Sequence, residues 1–232
     1  MSRQRQSVGT DFGRGYQGSI RIGDRDVRGL GPRAVSDLGV AYVPEDRREM
    51  GLIPSQSVAI NLALRRYDRS PYCRGGWVDF AAIRRDAVAL IERYGIRPPD
   101  ADMPAGKLSG GNQQRVIIAR ELASIPRLIV ADNITRGLDP RSAQQITSEL
   151  FAAARDREAA VVWITSDLSE ALMCDRVVVL NRGRLVAVLE RHEATRARVG
   201  LLMSSDVPCE EMNLEDIEEA PASGPGANPH SA

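Results

Sequence analysis

The sequence predicts an α/β fold with a parallel sheet. Three short apolar runs, at residues 40–43, 128–131 and 160–165, carry that prediction. They are partly β-branched and of strand length, as strands buried on both faces are. Stretches of helical periodicity separate them. The second run ends on Asp132, and the C-terminal end of a parallel strand is where open α/β sheets bind ligands.

The elements follow in chain order. Residues 1–17 are polar and Gly-rich with little periodicity, which predicts loose order. Residues 18–27 alternate apolar and polar around a Gly-Asp pair, a hairpin pattern. Pro32 opens a short helix through Asp37. Residues 55–103 read mainly helical: Ser57 caps one helix, Asp79 starts another, and Gly95 stops it. The Pro-, Gly- and Arg-rich residues 69–76 predict a loop between them, with Trp77 and Phe80 at its edge as packing residues. After Asp132 comes a helix over 141–157. A short helix over 168–173, a hairpin around Asn181-Arg182-Gly183-Arg184 and a final helix over 192–203 complete the chain. From 204 onward acidic residues and then Pro, Ala, Gly and Ser dominate, the composition of a disordered acidic tail.

Composition narrows the function classes. The chain has 232 residues, room for one large domain or a domain with a subdomain. It is 43% hydrophobic and 27% charged, an ordinary soluble balance. No run approaches the roughly 20 apolar residues of a membrane span, and no charged-then-apolar leader opens the sequence. Formal net charge is zero, which gives no support to a nucleic-acid partner. Cys73, Cys174 and Cys209 lack paired metal spacing and read as free thiols of a reducing cytoplasm. His192 and His230 are too far apart for a zinc pair.

The chemistry concentrates in Leu108-Ser109-Gly110-Gly111-Asn112-Gln113-Gln114-Arg115. Here a glycine-paired turn runs into a helix whose Val116, Ile117, Ala119, Leu122 and Ala123 face a core. Ser109 stands at the N-cap, and Gly110 and Gly111 leave backbone N–H groups uncovered. Such a helix start suits an anion, phosphate above all. A capped helix with a Gly-Gly turn and no ligand fits the same residues.

This stretch resembles the signature motif of ATP-binding cassette (ABC) ATPases, and its Asn-Gln-Gln continuation resembles the second, C-terminal cassette of bacterial sugar and nucleoside importers. A second match stands at the expected distance. Residues 127–139, with Asp132, Asn133 and Gly137-Leu138-Asp139, resemble the Walker B strand and D-loop. The resemblance runs over about residues 18–191. It implies an ABC-type P-loop NTPase core with an antiparallel β-subdomain and an inserted helical subdomain at about 55–107. The domain would span 18–203.

The resemblance also implies site residues. Ser109, Gly110, Gly111, Asn112 and Gln113 would bind the nucleotide of a partner cassette, and Gly137, Leu138 and Asp139 would cross to that partner. Val43-Pro44-Glu45-Asp46-Arg47 would be the loop coupling the nucleotide site to a permease, with Glu45 or Asp46 reaching magnesium or a water. Without the resemblance it reads as a charged turn with an internal Arg–Asp pair. Asp132 would hold Mg2+ weakly through water. ATP and Mg2+ would occupy a shared site, with the chain peripheral on the cytoplasmic face of the membrane.

Three departures stand against full activity. Asn133 occupies the position of the general base and cannot take a proton. Ser166 stands where active cassettes place a switch histidine. No G-x-x-x-x-G-K-[ST] occurs in the 232 residues, and Gly106-Lys107 is followed by leucine. The expectation is therefore a cassette with its first strand and phosphate loop missing, whose own site is degenerate and which serves a partner's. Two alternatives remain open: a non-catalytic interaction module of a transporter, and a remnant of a longer ATPase gene.

Overall fold

The computed structural model describes residues 18–204. The expected loose N-terminus, Cys209, His230 and the acidic tail beyond Ser204 lie outside the described residues. The chain divides after Ile164 into two compact units.

The first unit opens with the hairpin β1 (Arg21–Ile22) and β2 (Arg25–Asp26), turned at Gly23 with φ +57°. Helix α1 (Pro32–Asp37) has proline in its first turn, and strand β3 (Val40–Val43) follows. Then comes a single π-helical turn, Arg47–Gly51, whose N-cap Asp46 accepts from the N–H groups of Arg48 (2.9 Å) and Glu49 (3.0 Å). Helix α2 (Val58–Ala63) is capped by Ser57, whose Oγ accepts from the Ile60 N–H at 3.2 Å.

The segment expected to be a plain loop carries a small antiparallel ribbon, β4 (Cys73–Arg74) with β5 (Trp77–Val78). Gly75 and Gly76 turn it with positive φ, the chemistry of a two-residue hairpin. The two aromatic residues do not pack as expected: Trp77 is 83% exposed and Phe80 65%. Trp77 lies on a two-stranded ribbon with no second layer to receive it, and Phe80 opens the next helix. Helix α3 (Phe80–Arg93) is capped by Asp79, and Gly95 follows in the left-handed region.

Helix α4 (Gly110–Leu122) is the centre of this unit, buried nearly all round. Val116, Ile117, Ile118, Ala119 and Leu122 join the core, and Gln113, Gln114, Arg120 and Glu121 are buried with them. Strand β6 (Leu128–Asp132), helix α5 (Pro140–Asp156) and strand β7 (Ala160–Ile164) complete the unit. The sheet is parallel, in the order β3-β6-β7, with Val43 opposite Ala131 and Ala131 opposite Trp163. Ala41, Val43, Ile129 and Ala131 are buried in the core that also holds α4 and α5, and Trp163 stacks on Phe151 of α5. On the opposite face Val162 keeps 49% and Ile164 46% of their surface, so β7 is half-buried rather than buried as its apolar run predicts. Among the described residues of this unit, α4 and α5 pack on one face of the sheet.

The second unit holds α6 (Leu168–Ala171), the hairpin β8 (Arg176–Asn181) and β9 (Arg184–Glu190), and α7 (Arg196–Ser204). The final helix starts four residues later than its pattern predicts. Val177, Val179, Ala187, Leu189, Val199 and Leu202 form its core.

Candidate functional site

The site is built where three loops meet α4. Strand β6 delivers Asp132 at its C-terminal end, and both carboxylate oxygens find donors. The Tyr42 hydroxyl donates to Oδ2 at 3.2 Å, and the Asn133 side-chain amide donates to Oδ1 at 3.2 Å. Burial and the adjacent Asp132 charge raise the Tyr42 pKa above its ordinary value, so the phenol stays a donor. Asn133 sits at φ +43°, a left-handed conformation that asparagine adopts more readily than most residues. Its backbone N–H bonds the Ile164 carbonyl at 2.8 Å.

A cleft of about 500 Å³ opens beside this carboxylate, lined by Tyr42, Glu45, Asp46, Arg47, Arg48, Met50, Gln113, Asp132 and Arg136. The fold therefore brings Glu45 and Asp46 of the 43–47 loop together with Asp132. Glu45 pairs with Arg136. The cap bonds from the Glu49 and Arg48 N–H groups hold the Asp46 carboxyl below its usual pKa. The internal Arg–Asp pair that a charged turn suggests is not formed: Arg47 instead donates from Nη1 to the Arg136 carbonyl at 3.1 Å.

Of the signature residues only Gln113 is among the lining of this cleft; Ser109, Gly110, Gly111 and Asn112 are not. Ser109 occupies the N-cap of α4, yet its hydroxyl makes no capping bond and accepts instead from the Asn112 amide at 2.9 Å. Asn112 in turn accepts from the Arg97 N–H at 2.7 Å, which ties the turn to the end of α3. Gln113 faces inward, donating to the Leu108 carbonyl at 3.0 Å, so its amide serves the loop. A Cβ on Gly111 would stand 3.2 Å from Ser142 Oγ, so this glycine lets the turn approach α5. Asp139 caps α5 through the Ser142 N–H at 2.9 Å, and the hydrogen bonds from Ser142 lower its pKa. Gly137 takes φ +70°. Gly106 of the false phosphate-loop lead is a packing glycine, donating its N–H to the Pro54 carbonyl at 2.9 Å.

Ser166 is exposed in the second unit, in the turn before α6, where Asp167 caps the Ser169 N–H at 2.7 Å. Among the described residues no group of three or more His, Cys, Asp or Glu side chains could hold a metal. Sequence reasoning assigned no role to Tyr42 or Arg136, and placed Arg47 in the 43–47 loop without its partners. The period-two alternation of β3 puts Tyr42 opposite the buried faces of Ala41 and Val43, a signal that was available. The Arg47 and Arg136 contacts span 89 and 91 residues and leave no local signal.

A parallel α/β sheet with a carboxylate at a strand end, a cleft beside it and a bare helix start nearby defines a nucleotide-handling domain of the P-loop type. The family model described as ABC transporter matches residues 10–136, more than half of the chain, and the chain belongs to that family. It is 36% identical over 187 residues to the nucleoside import ATP-binding protein NupA of Lactococcus lactis subsp. cremoris, covering 80% of this chain and 37% of that protein. It is 34% identical to the guanosine import ATP-binding protein NupO of Bacillus subtilis, covering 81% and 37%. With the ribose import ATP-binding protein RbsA of Rhodococcus jostii the identity is 35%, covering 78% and 36%. The chain thus spans little more than a third of these relatives. Its fold matches the dimeric ATP-binding cassette MJ0796 bound to ADP and Pi, with a TM-score of 0.62 at 24% identity, covering 75% of this chain and 74% of that one.

Proposed function

We propose that this chain serves as an ATP-binding cassette of an importer for sugars or nucleosides. It would lie at the cytoplasmic face of the membrane beside permease subunits and a second, intact cassette. Its part is to lend Ser109, Gly110, Gly111 and the 137–139 loop to nucleotide held by that second cassette. No helix among the described residues is long and apolar enough to cross a membrane.

The observation that carries this reading is the contrast between two sites. The signature turn keeps an exposed serine and two glycines at the start of a 13-residue helix. There, backbone N–H groups and the helix dipole can meet a phosphate. At the strand end, Asn133 donates from its amide to Asp132, and an amide cannot take a proton from water. Asp132 fits a water-mediated Mg2+ contact, since a carboxylate oxygen that accepts a hydrogen bond, as both do here from Tyr42 and Asn133, has a further lone pair. Mg2+ bound there would neutralise phosphate charge. Tyr42 and Asn133 orient the carboxylate, and Arg136 holds Glu45 at the cleft edge.

The chain alone should bind Mg-ATP poorly. Phosphate-loop contacts are charge-assisted, contributing roughly 1.5–3 kcal/mol each, and no such loop occurs in these 232 residues. A calorimetric titration tests this: micromolar binding abolished by Asp132→Ala would overturn it. In an assembled transporter, Ser109→Arg should abolish ATP turnover at the shared site. Unchanged turnover would instead favour a non-catalytic interaction module.

A further inference from the structure

We propose that Arg47 is the positioning residue that fixes the signature turn and the 136–139 loop in one register, so that movement of the 44–51 segment reaches both. Its catalytic consequence rests on the proposed function; its structural part stands without it.

The guanidinium lies in a notch between two glycines. Nη1 donates to the Arg136 carbonyl at 3.1 Å. Nη2 is 3.4 Å from where a Cβ on Gly110 would stand, and 3.7 Å from the corresponding point on Gly137. One planar fork therefore bonds one loop and lies against the other. A lysine, with a compact ammonium on a flexible stem, cannot do both.

Arg47, like its neighbour Arg48, forms no ion pair among the described residues, but unlike Arg48 it is turned inward onto the Arg136 carbonyl. Its acidic neighbours are committed elsewhere: Asp46 to the Arg48 and Glu49 N–H groups, Glu45 to Arg136. Burial lowers its pKa, the mark of a cation held partly out of water. A surface arginine with no task would snorkel outward at no such cost.

The same π-helical turn grips α4 a second time. The Gly51 carbonyl accepts from Arg120 Nη1 at 2.7 Å. Gly110 and Arg120 are ten residues apart, about 15 Å along the helix. Residues 47–51 thus hold α4 near its start and near its end.

Hydrogen exchange on the full chain tests the structural part, comparing wild type with Arg47→Ala and Arg47→Lys, and with Arg48→Ala as the neighbouring control. The Gln113 and Leu138 amides, bonded to the Ser109 and Thr135 carbonyls, should exchange about tenfold faster in both Arg47 variants and be unchanged in the control. Faster exchange confined to 47–51, or equal in Arg48→Ala, overturns the inference. If Arg47→Ala fails to fold by circular dichroism, Arg47→Lys decides. In the chain assembled with its cassette and permease subunits, Arg47→Lys should lower kcat about tenfold and leave KM for ATP within about twofold. Wild-type kcat there, with Ser109→Arg inactive, overturns the catalytic consequence alone. A silent Ser109→Arg overturns the proposed function instead, and the exchange result still decides the role of Arg47.

Discussion

Glu121→Ala should be strongly destabilising. The Glu121 side chain is only 4% exposed and sits between two arginines. Oε1 accepts from Arg120 Nε at 3.0 Å, while Oε2 pairs with Arg65 and accepts from the Tyr42 N–H at 3.3 Å. Arg65 also donates to the Val40 carbonyl at 2.7 Å, so this network pins α4 to β3 and to the residues after α2. Alanine leaves the buried Arg120 guanidinium and the half-buried Arg65 guanidinium without an anion. Removing one partner of a buried pair costs about 3–5 kcal/mol. With a urea m-value of about 2 kcal/mol/M, the midpoint should fall by about 1.5–2.5 M. Glu121→Gln keeps the shape and an acceptor and should lose less, about 1.5–3 kcal/mol. The assay is urea unfolding followed by circular dichroism and tryptophan fluorescence. A loss under about 1 kcal/mol for Glu121→Ala would refute the reasoning, since it would mean that water already solvates the arginines.

Two further outcomes follow from the same contacts. Gly106→Ala should destabilise by about 1–3 kcal/mol, because its Cβ would meet the Pro54 carbonyl oxygen at 2.9 Å, and backbone cannot step aside as a side chain can; thermal denaturation checks this. Glu149→Gln should raise the melting temperature at pH 7. Burial lifts the Glu149 pKa above 4.5, and Oε2 is buried without a partner. The folded state therefore holds that proton more tightly than the unfolded chain, so wild-type stability falls as pH rises from 4.5 through the folded pKa. The advantage of the variant should vanish below about pH 4, and an advantage that persists there would refute the assignment.

Residues whose partners are near in sequence were the legible ones. Ser57, Asp79 and Asp139 cap the helices expected of them, because a cap depends on residues two or three positions away. The strands at 40–43 and 128–132 and the hairpin after Asn181 follow from period and turn chemistry in the same way. Ser109 shows the limit of such reasoning. Its position is the cap position, but Asn112 takes its hydroxyl, an exchange fixed by the Asn112 bond to Arg97. Gln113 likewise reads as a ligand-facing amide until the Leu108 loop folds beneath it.

Most of the order of elements, the β4–β5 ribbon and the 47–51 turn excepted, is legible in the sequence, as are the family and an amide in place of a carboxylate at Asn133. These reside in side-chain type and spacing, which no packing alters. Tertiary structure alone decided which groups meet: Tyr42 with Asp132, Arg136 with Glu45, Arg47 with Gly110, and Glu121 between two arginines. It also decided that Trp77 and Phe80 stand in solvent. The physical reason is that hydrogen bonds and ion pairs act over a few ångströms of space, while these partners, apart from Arg120 and Glu121, lie 56 to 91 residues apart along the chain. Local pattern can place an element but cannot say what it faces until α4 and the sheet have closed around it.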